Sequence, residues 1–118
     1  MFNNLKKTLL IAEACENHFG NLENAKKMVI QAKKSGADYV KFQHHIPEEE
    51  MLKNVPKSKN FKTTLYNFLK KNSLKINQHA ILKKYCEKNR IKYLCTPFCL
   101  KAANELNEIG VDMFKIGS

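Results

Sequence analysis

Residues 8–14 (TLLIAEA) and 39–43 (YVKFQ) are two short apolar runs with a helical segment between them. The first run is typical of a parallel strand buried on both faces, and the second is rich in β-forming residues. Asn21 is a favourable N-cap for the intervening helix, and Gly36 is a favourable terminator. Strand, helix and strand together predict one βαβ unit with a right-handed crossover.

The remainder of the chain continues this alternation, without hairpin signals. Further helices are predicted at residues 64–72, 77–89 and 100–109, and further strands at 91–96 (IKYLCT) and 112–116 (DMFKI). This order predicts an α/β fold with a parallel sheet covered by helices. A doubly wound sheet and a (β/α)₈ barrel both satisfy it, so the pattern alone leaves both architectures open.

Residues 44–60 interrupt the pattern and form a predicted loop. Pro47 opens an acidic cluster at 48–50, and Pro56 leads into the polar stretch 57–60. A loop this long inside a compact domain is usually functional or disordered. Two interpretations stay open here, a loop that covers a substrate and a disordered segment.

The composition indicates one soluble globular domain, or part of one. The chain has 118 residues, of which 43% are hydrophobic and 27% charged, enough for one modest core. No apolar run approaches the roughly 20 residues of a membrane span, so a cytoplasmic location is expected. The four cysteines lack C-x-x-C spacing and are expected to be reduced, buried or half-buried thiols.

The net charge of +10 invites a nucleic-acid-binding hypothesis, but Arg90 is the single arginine and the lysines are spread along the chain. Proteins that recognise duplex DNA rely heavily on arginine for bidentate base contacts. A lysine-rich surface is the simpler interpretation, and a positive interior that attracts an anionic metabolite is the next. No nucleic-acid or membrane partner is expected.

Three charged residues interrupt the apolar strands near their carboxyl ends: Glu13, Lys41 and Lys115. Burying any of them without a partner costs several kcal/mol. Each has a structural explanation, because Glu13 could pair with a lysine and either lysine could extend to solvent. Together they predict one shared polar site where parallel α/β folds bind ligands. Two lysines suit a phosphate or carboxylate group.

Hydroxyl groups and one histidine follow the same strands. Thr96 precedes the rigid Pro97 after the third predicted strand, and Ser118 follows Gly117 after the fourth. His18 follows the first strand, where it could carry protons, bind a ligand or serve only as a loop residue.

The other histidines carry weaker signals. His44 and His45 adjoin the acidic cluster as metal ligands do, but adjacent residues of a strand point to opposite faces, so a metal site is not expected there. His79 lies in a predicted helix and is expected on the surface.

Four motifs in order resemble the N-acetylneuraminate (sialic acid) synthase family: IAEACENHFG (11–20), ADYVKFQ (37–43), YLCTPF (93–98) and FKIGS (114–118). The resemblance covers essentially the whole chain. It implies a TIM-type (β/α) barrel of which residues 1–118 supply only the first four β/α units, a truncated half-barrel. The remaining barrel strands and a C-terminal antifreeze-like domain are expected beyond Ser118.

The resemblance also implies an activity. Such enzymes condense phosphoenolpyruvate with N-acetylmannosamine or a related N-acetylated amino sugar, and release a sialic (nonulosonic) acid and phosphate for surface polysaccharide biosynthesis. The family implies a divalent metal of the Mn²⁺ or Mg²⁺ type, with ligands outside this chain, and a homodimer.

The same resemblance assigns roles to residues of this chain. Glu13 is expected to be the catalytic acidic residue near the reacting carbons. The expected phosphoenolpyruvate contacts are Lys41, Thr96, Lys115 and Ser118. Asn60 and His18 are expected in a possible substrate loop. The alternative hypothesis is a non-catalytic fragment or half-barrel that needs a partner chain, since an isolated half-barrel exposes an unpaired strand edge.

Overall fold

A computed structural model describes residues 7–117, which form one three-stranded sheet and five helices. The strands are β1 (Ile11–Cys15), β2 (Tyr39–His44) and β3 (Lys92–Pro97). The helices are α1 (Leu22–Lys34), α2 (Pro47–Glu50), α3 (Leu65–Asn72), α4 (Ile76–Lys88) and α5 (Leu100–Glu108). Ser118, a predicted substrate contact, lies outside the described residues.

The sheet is parallel and its strands lie side by side in chain order, β1-β2-β3. In a classic doubly wound sheet, with strand order 3-2-1-4, the fourth strand lies beside the first, whereas in a barrel it lies beside the third. Phe114 of the next segment bridges Cys95 of β3, as in a barrel. The α/β fold with a parallel sheet is therefore confirmed, and the strand order favours the barrel alternative. Three strands among residues 7–117 do not close a barrel, so the complete barrel stays a prediction.

The first βαβ unit forms as its local signals predict. The Asn21 side chain accepts a hydrogen bond from the Asn24 N–H at 3.0 Å and caps α1. At the other end Gly36 adopts φ +82°, and the Ala37 N–H donates to the Ala32 carbonyl at 3.1 Å. This is the bonding of a Schellman motif, in which glycine accepts the left-handed conformation without strain.

The fourth predicted strand is wrong as a continuous strand. Within residues 7–117, segment 112–116 forms a single parallel bridge, between Phe114 and Cys95. The Lys115 N–H donates to the Cys95 carbonyl at 3.0 Å. The segment lies beside β3, as a sequential sheet requires, but one bridge is too short a ladder to make a strand.

The predicted loop over residues 44–60 is also partly wrong. His44 completes β2, and residues 47–50 form the short helix α2 with Pro47 in its first turn. Proline suits that position because its missing N–H would have no partner there and its φ is already helical. The Thr64 hydroxyl then caps α3 by accepting from the Asn67 N–H at 3.2 Å.

The core lies between one face of the sheet and the helices. Val40 and Phe42 of β2 are fully buried against side chains such as Val29 of α1 and Leu82 of α4. Because successive side chains of a strand point to opposite faces, Lys41 and Gln43 lie on the other face of the sheet. The candidate site therefore occupies the face of the sheet opposite α1, α4 and α5, called the polar face below.

His79 of α4 was predicted on the surface, and that prediction is wrong. It is 0% exposed, and its Nδ1 lies 2.7 Å from the Tyr93 hydroxyl. Burial lowers the pKa of His79 well below its usual value, and the neighbouring His44 acts in the same direction. His79 lies three residues before Leu82 and seven before Cys86, on the buried face of α4, so the helix period itself places it in the core.

The cysteine prediction is confirmed, since all four are free thiols, with Cys86 and Cys95 buried and Cys15 and Cys99 half-buried. Burial raises the pKa of Cys86 and Cys95 to about 12 and that of Cys15 to about 11. These thiols are therefore protonated at neutral pH and serve as small apolar groups. Within residues 7–117 no helix has the length and apolar character needed to cross a membrane.

Candidate active site

Glu13 and Lys41 form an ion pair on the polar face. They are direct partners in the β1–β2 register, and the Lys41 Nζ lies 2.6 Å from the Glu13 Oε2. The Lys41 side chain is 15% exposed and that of Glu13 is 45% exposed, so the ammonium group is the more deeply held partner. The predicted juxtaposition of these two charges is thus present in the structure.

Thr96 joins this face through the strand register. It is the partner of Gln43 in the parallel β2–β3 pair, and partners across a ladder point to the same side. Thr96 is 3% exposed, so its hydroxyl lies in a dry environment. Gln43 was not among the predicted site residues, although its spacing of two from Lys41 places it on the same face.

Lys115 approaches the same face from the segment beside β3. Its neighbour Phe114 bridges Cys95, which belongs to the core, so alternation turns the Lys115 side chain to the polar face. The residue is exposed, and among residues 7–117 it forms no ion pair. The structure thus brings Glu13, Lys41 and Thr96 together and places Lys115 at the margin of that group.

His18 lies in the turn between β1 and α1, where Asn17 and Phe19 line a cavity described below, but its own side chain is buried. It is 0% exposed, its ring is 6.0 Å from that of Phe42, and its Nδ1 accepts from the Gly20 N–H at 3.0 Å. That bond assigns the hydrogen of the neutral ring to Nε2. Burial lowers the pKa of His18 to about 4, so its ring is neutral at physiological pH.

Glu16 is a buried carboxyl group that the sequence did not single out. It is 8% exposed, and neither of its carboxyl oxygens has a hydrogen-bond partner among residues 7–117. Burial raises its pKa to about 8, against the opposing effect of the nearby Ser73 hydroxyl and with a smaller contribution from the Glu50 carboxylate. Its position after β1 resembled an exposed turn, so only the tertiary structure could identify it.

Asn60 is exposed in the segment between α2 and α3. Its neighbours Ser58 and Phe61 line a cavity of about 910 Å³ at the carboxyl ends of the strands, although Asn60 itself does not. The structure therefore puts the predicted substrate loop at the cavity but leaves this asparagine outside the lining.

That cavity combines polar and aromatic walls. Its polar lining includes Glu16, Asn17, Gln43, His45 and Thr64, and its aromatic lining consists of Phe19, Phe61, Phe68 and Phe98. A second cavity of about 660 Å³ opens near the amino ends of β2 and β3. Because parallel α/β folds bind ligands at the carboxyl ends of their strands, the first cavity is the candidate substrate site. Its lining includes Gln43 of the polar face, but not Glu13, Lys41, Thr96 or Lys115.

The adjacent histidines point to opposite faces, as predicted. The His44 Nε2 lies 2.7 Å from the Glu105 Oε2 of α5, and the His45 Nδ1 lies 2.8 Å from the Glu50 Oε2. Within residues 7–117 no three His, Cys, Asp or Glu side chains converge as metal ligands do. With Glu13 held by Lys41 in addition, these described residues offer no site for a divalent metal, and the expected metal with ligands outside this chain stays a prediction.

The NeuB family model matches residues 28–118 of the chain. The chain belongs to the NeuB family. It is 39% identical over 120 residues to an N,N'-diacetyllegionaminic acid synthase from Campylobacter jejuni, covering 97% of this chain and 36% of that protein. It is 32% identical to the human N-acetylneuraminate-9-phosphate synthase, covering 92% of this chain and 32% of that protein.

A solved structure gives the same result. The crystal structure of an N-acetylneuraminic acid (sialic acid) synthetase from Leptospira borgpetersenii, in complex with citrate, superposes with a TM-score of 0.83 at 30% identity. The match covers 98% of this chain and 40% of that chain. The resemblance to sialic acid synthases is thus confirmed, and the chain spans about a third of the length of its curated NeuB relatives.

Proposed function

We propose that the protein condenses phosphoenolpyruvate with N-acetylmannosamine or a related N-acetylated amino sugar, to give a sialic (nonulosonic) acid and phosphate for surface polysaccharide biosynthesis. The observation that carries this proposal is the Glu13–Lys41 pair in the middle of β1 and β2, on the same face of the sheet as Thr96. Its support from relatives is that proteins named as legionaminic and sialic acid synthases align with the chain.

Lys41 is the main contact for the anionic donor in this scheme. A largely buried ammonium group attracts a phosphate or carboxylate more strongly than an exposed one, because water screens it less. Thr96 adds a buried hydroxyl that can donate to an oxygen of the donor. Lys115, on the same face, would add a second positive charge, and Ser118 a further hydroxyl.

Glu13 has two roles in the proposed cycle. Before the donor binds, it neutralises Lys41, and the incoming anion then competes for the same ammonium group. Afterwards Glu13 orients or transfers protons while the donor C3 bonds to the sugar aldehyde carbon, water adds at the donor C2, and the C2–O bond to phosphate breaks. The proposal further includes a homodimer, a cytoplasmic location and a divalent cation with ligands outside residues 7–117.

The Lys41→Ala variant of the intact protein tests this assignment. We expect the KM for phosphoenolpyruvate to rise at least tenfold and kcat/KM to fall by a larger factor, because the principal positive charge for the donor is lost. Lys84→Ala, which removes an exposed lysine from α4, is the matched control and should leave both constants unchanged. Unchanged donor KM and turnover in Lys41→Ala would overturn the proposal.

A further inference from the structure

Glu50 and His45 form a buried carboxylate–imidazole pair at the end of β2. The Glu50 Oε1 accepts from the Ile46 N–H at 2.7 Å, and its Oε2 lies 2.8 Å from the His45 Nδ1. Both side chains are 7% exposed. Because a carboxylate only accepts, Nδ1 carries a hydrogen, and both carboxylate oxygens are engaged in holding this one histidine and the chain next to it.

The other ring nitrogen of His45 reaches the polar face. Its Nε2 lies 3.1 Å from the Gln43 Oε1, and its ring stacks on Phe98 with centroids 4.0 Å apart and planes 19° apart. The imidazole is thus held by the Glu50 carboxylate at one nitrogen and by the Phe98 ring stacked on its face. A ring held in this way limits the Gln43 amide to orientations that bond to Nε2.

Gln43 stands where a sugar would meet the donor site. It lies on the same strand face as Lys41, two residues nearer the carboxyl end of β2, which is about 6.6 Å further along the strand. It lines the 910 Å³ cavity, whereas Lys41 does not. With one end of its amide bonded to His45, the other end is left for a ligand in the cavity.

We propose that Glu50 and His45 are positioning residues that orient the amide of Gln43 for hydrogen bonding to the N-acetylated acceptor sugar. Both partners of the His45 ring are acceptors, so both ring nitrogens carry a hydrogen, and Nε2 donates to the Gln43 amide oxygen. The Gln43 amide nitrogen then donates to a hydroxyl or N-acyl oxygen of the sugar. The aromatic walls of the cavity suit the apolar faces of a sugar ring. This inference rests on the proposed function, since it assigns the acceptor of the same reaction.

A double-mutant cycle in the intact protein tests the inference. His45→Ala is expected to raise the KM for the acceptor sugar about tenfold while the KM for phosphoenolpyruvate changes less than twofold. In the Gln43→Ala background, His45→Ala should add less than a twofold effect, because the group through which it acts is gone. A purely structural role for His45 would instead lower kcat and affect both substrates in either background.

Two further variants make the result decisive. Glu50→Gln keeps the size of the side chain but loses its charge, and it should reproduce part of the His45→Ala effect on the acceptor KM even where His45→Ala folds poorly. Glu49→Gln, an exposed neighbour on α2, is the control and should behave as wild type. Independent, multiplying effects of His45→Ala and Gln43→Ala would overturn the inference.

Lys41→Ala, assayed in parallel, separates this inference from the proposed function. If Lys41→Ala impairs donor binding while His45 and Gln43 show no coupling on the acceptor KM, only the positioning inference is wrong. If Lys41→Ala leaves donor binding intact, the proposed function itself is wrong.

Discussion

At the scale of single residues, three carboxyl groups near the carboxyl ends of the strands occupy three different environments. Glu13 pairs with Lys41, and Glu50 accepts from a backbone N–H and holds His45. Glu16 is buried with no hydrogen bond to its carboxyl oxygens among residues 7–117, and its Oε1 lies 3.9 Å from the His18 Nε2. The side-chain chemistry is the same in each case. The surroundings alone place Glu13 in a charged site and Glu50 in a positioning pair, and they make Glu16 a neutral buried group.

Glu16 gives the sharpest residue-level prediction. Its pKa is about 8 in the folded chain, against about 4.5 when unfolded, so the folded state binds the proton more tightly between these values. This contribution to stability is complete below pH 4.5 and is lost as the pH rises through 8. Glu16→Gln cannot ionise, so relative to wild type it should gain roughly 3–5 kcal/mol in unfolding free energy between pH 5 and pH 8.

Urea unfolding at pH 5, 6.5 and 8 would measure this difference. Glu108→Gln, an exposed position on α5, serves as the control and should follow the wild-type pH profile. If Glu16→Gln and wild type kept a constant difference at all three pH values, Glu16 would not be the protonated buried group described above.

At the scale of elements, a glycine in a turn can be required by its backbone conformation alone or also by contact with another element. Gly20 and Gly36 both adopt positive φ, +74° and +82°. A Cβ at Gly20 would lie 3.1 Å from the Lys71 carbonyl oxygen and 3.2 Å from the Asn72 Cα, whereas a Cβ at Gly36 would meet nothing within 4 Å. Gly20 is therefore constrained by its conformation and by the end of α3, and Gly36 by its conformation only.

Alanine at these two glycines should separate the two effects. Gly36→Ala is expected to cost about 1 kcal/mol, the penalty of a left-handed residue with a side chain. Gly20→Ala is expected to cost more, about 2–3 kcal/mol, because rigid backbone must also move. Denaturant unfolding of both variants would check this order, and equal losses would show that the β1–α1 turn does not press against α3.

Features that depend on neighbouring residues were predictable from the sequence, and features that depend on contacts between elements were not. The cap at Asn21 was identified because it depends on a few neighbouring residues, and the predicted helix limits at 64 and 89 fall on the observed caps Thr64 and Asn89. The length of the strand at 112–116 was overestimated, because a strand is defined by its pairing with a neighbouring strand and the sequence pattern does not show how many residues pair. The helix at 47–50 was missed because four residues are too short to show a helical period.

At the scale of the whole molecule, the sheet separates an apolar side from a polar side. Phe42, in the central strand, is 0% exposed and stacks on Tyr93 at 6.0 Å. Phe42→Ala should lower the unfolding free energy by about 3–5 kcal/mol, because it leaves a cavity in the middle of the core. The measurement is chemical unfolding of the intact protein.

Phe61→Ala is the matched control for that loss. Phe61 is 62% exposed at the rim of the 910 Å³ cavity, so its removal should change stability by less than about 0.5 kcal/mol. A similar loss for both variants would mean that Phe42 does not occupy the centre of the core.

The sequence by itself determined the parallel α/β class, most element boundaries, the family and the Glu13–Lys41–Thr96 face. These depend on alternation, capping and motif order, which are local properties of a chain. Only the tertiary structure decided that His18 is buried, that Glu16 is neutral, and that His45 joins Glu50 to Gln43. Burial and the pKa values that follow from it depend on which distant elements pack together, and no local pattern contains that information.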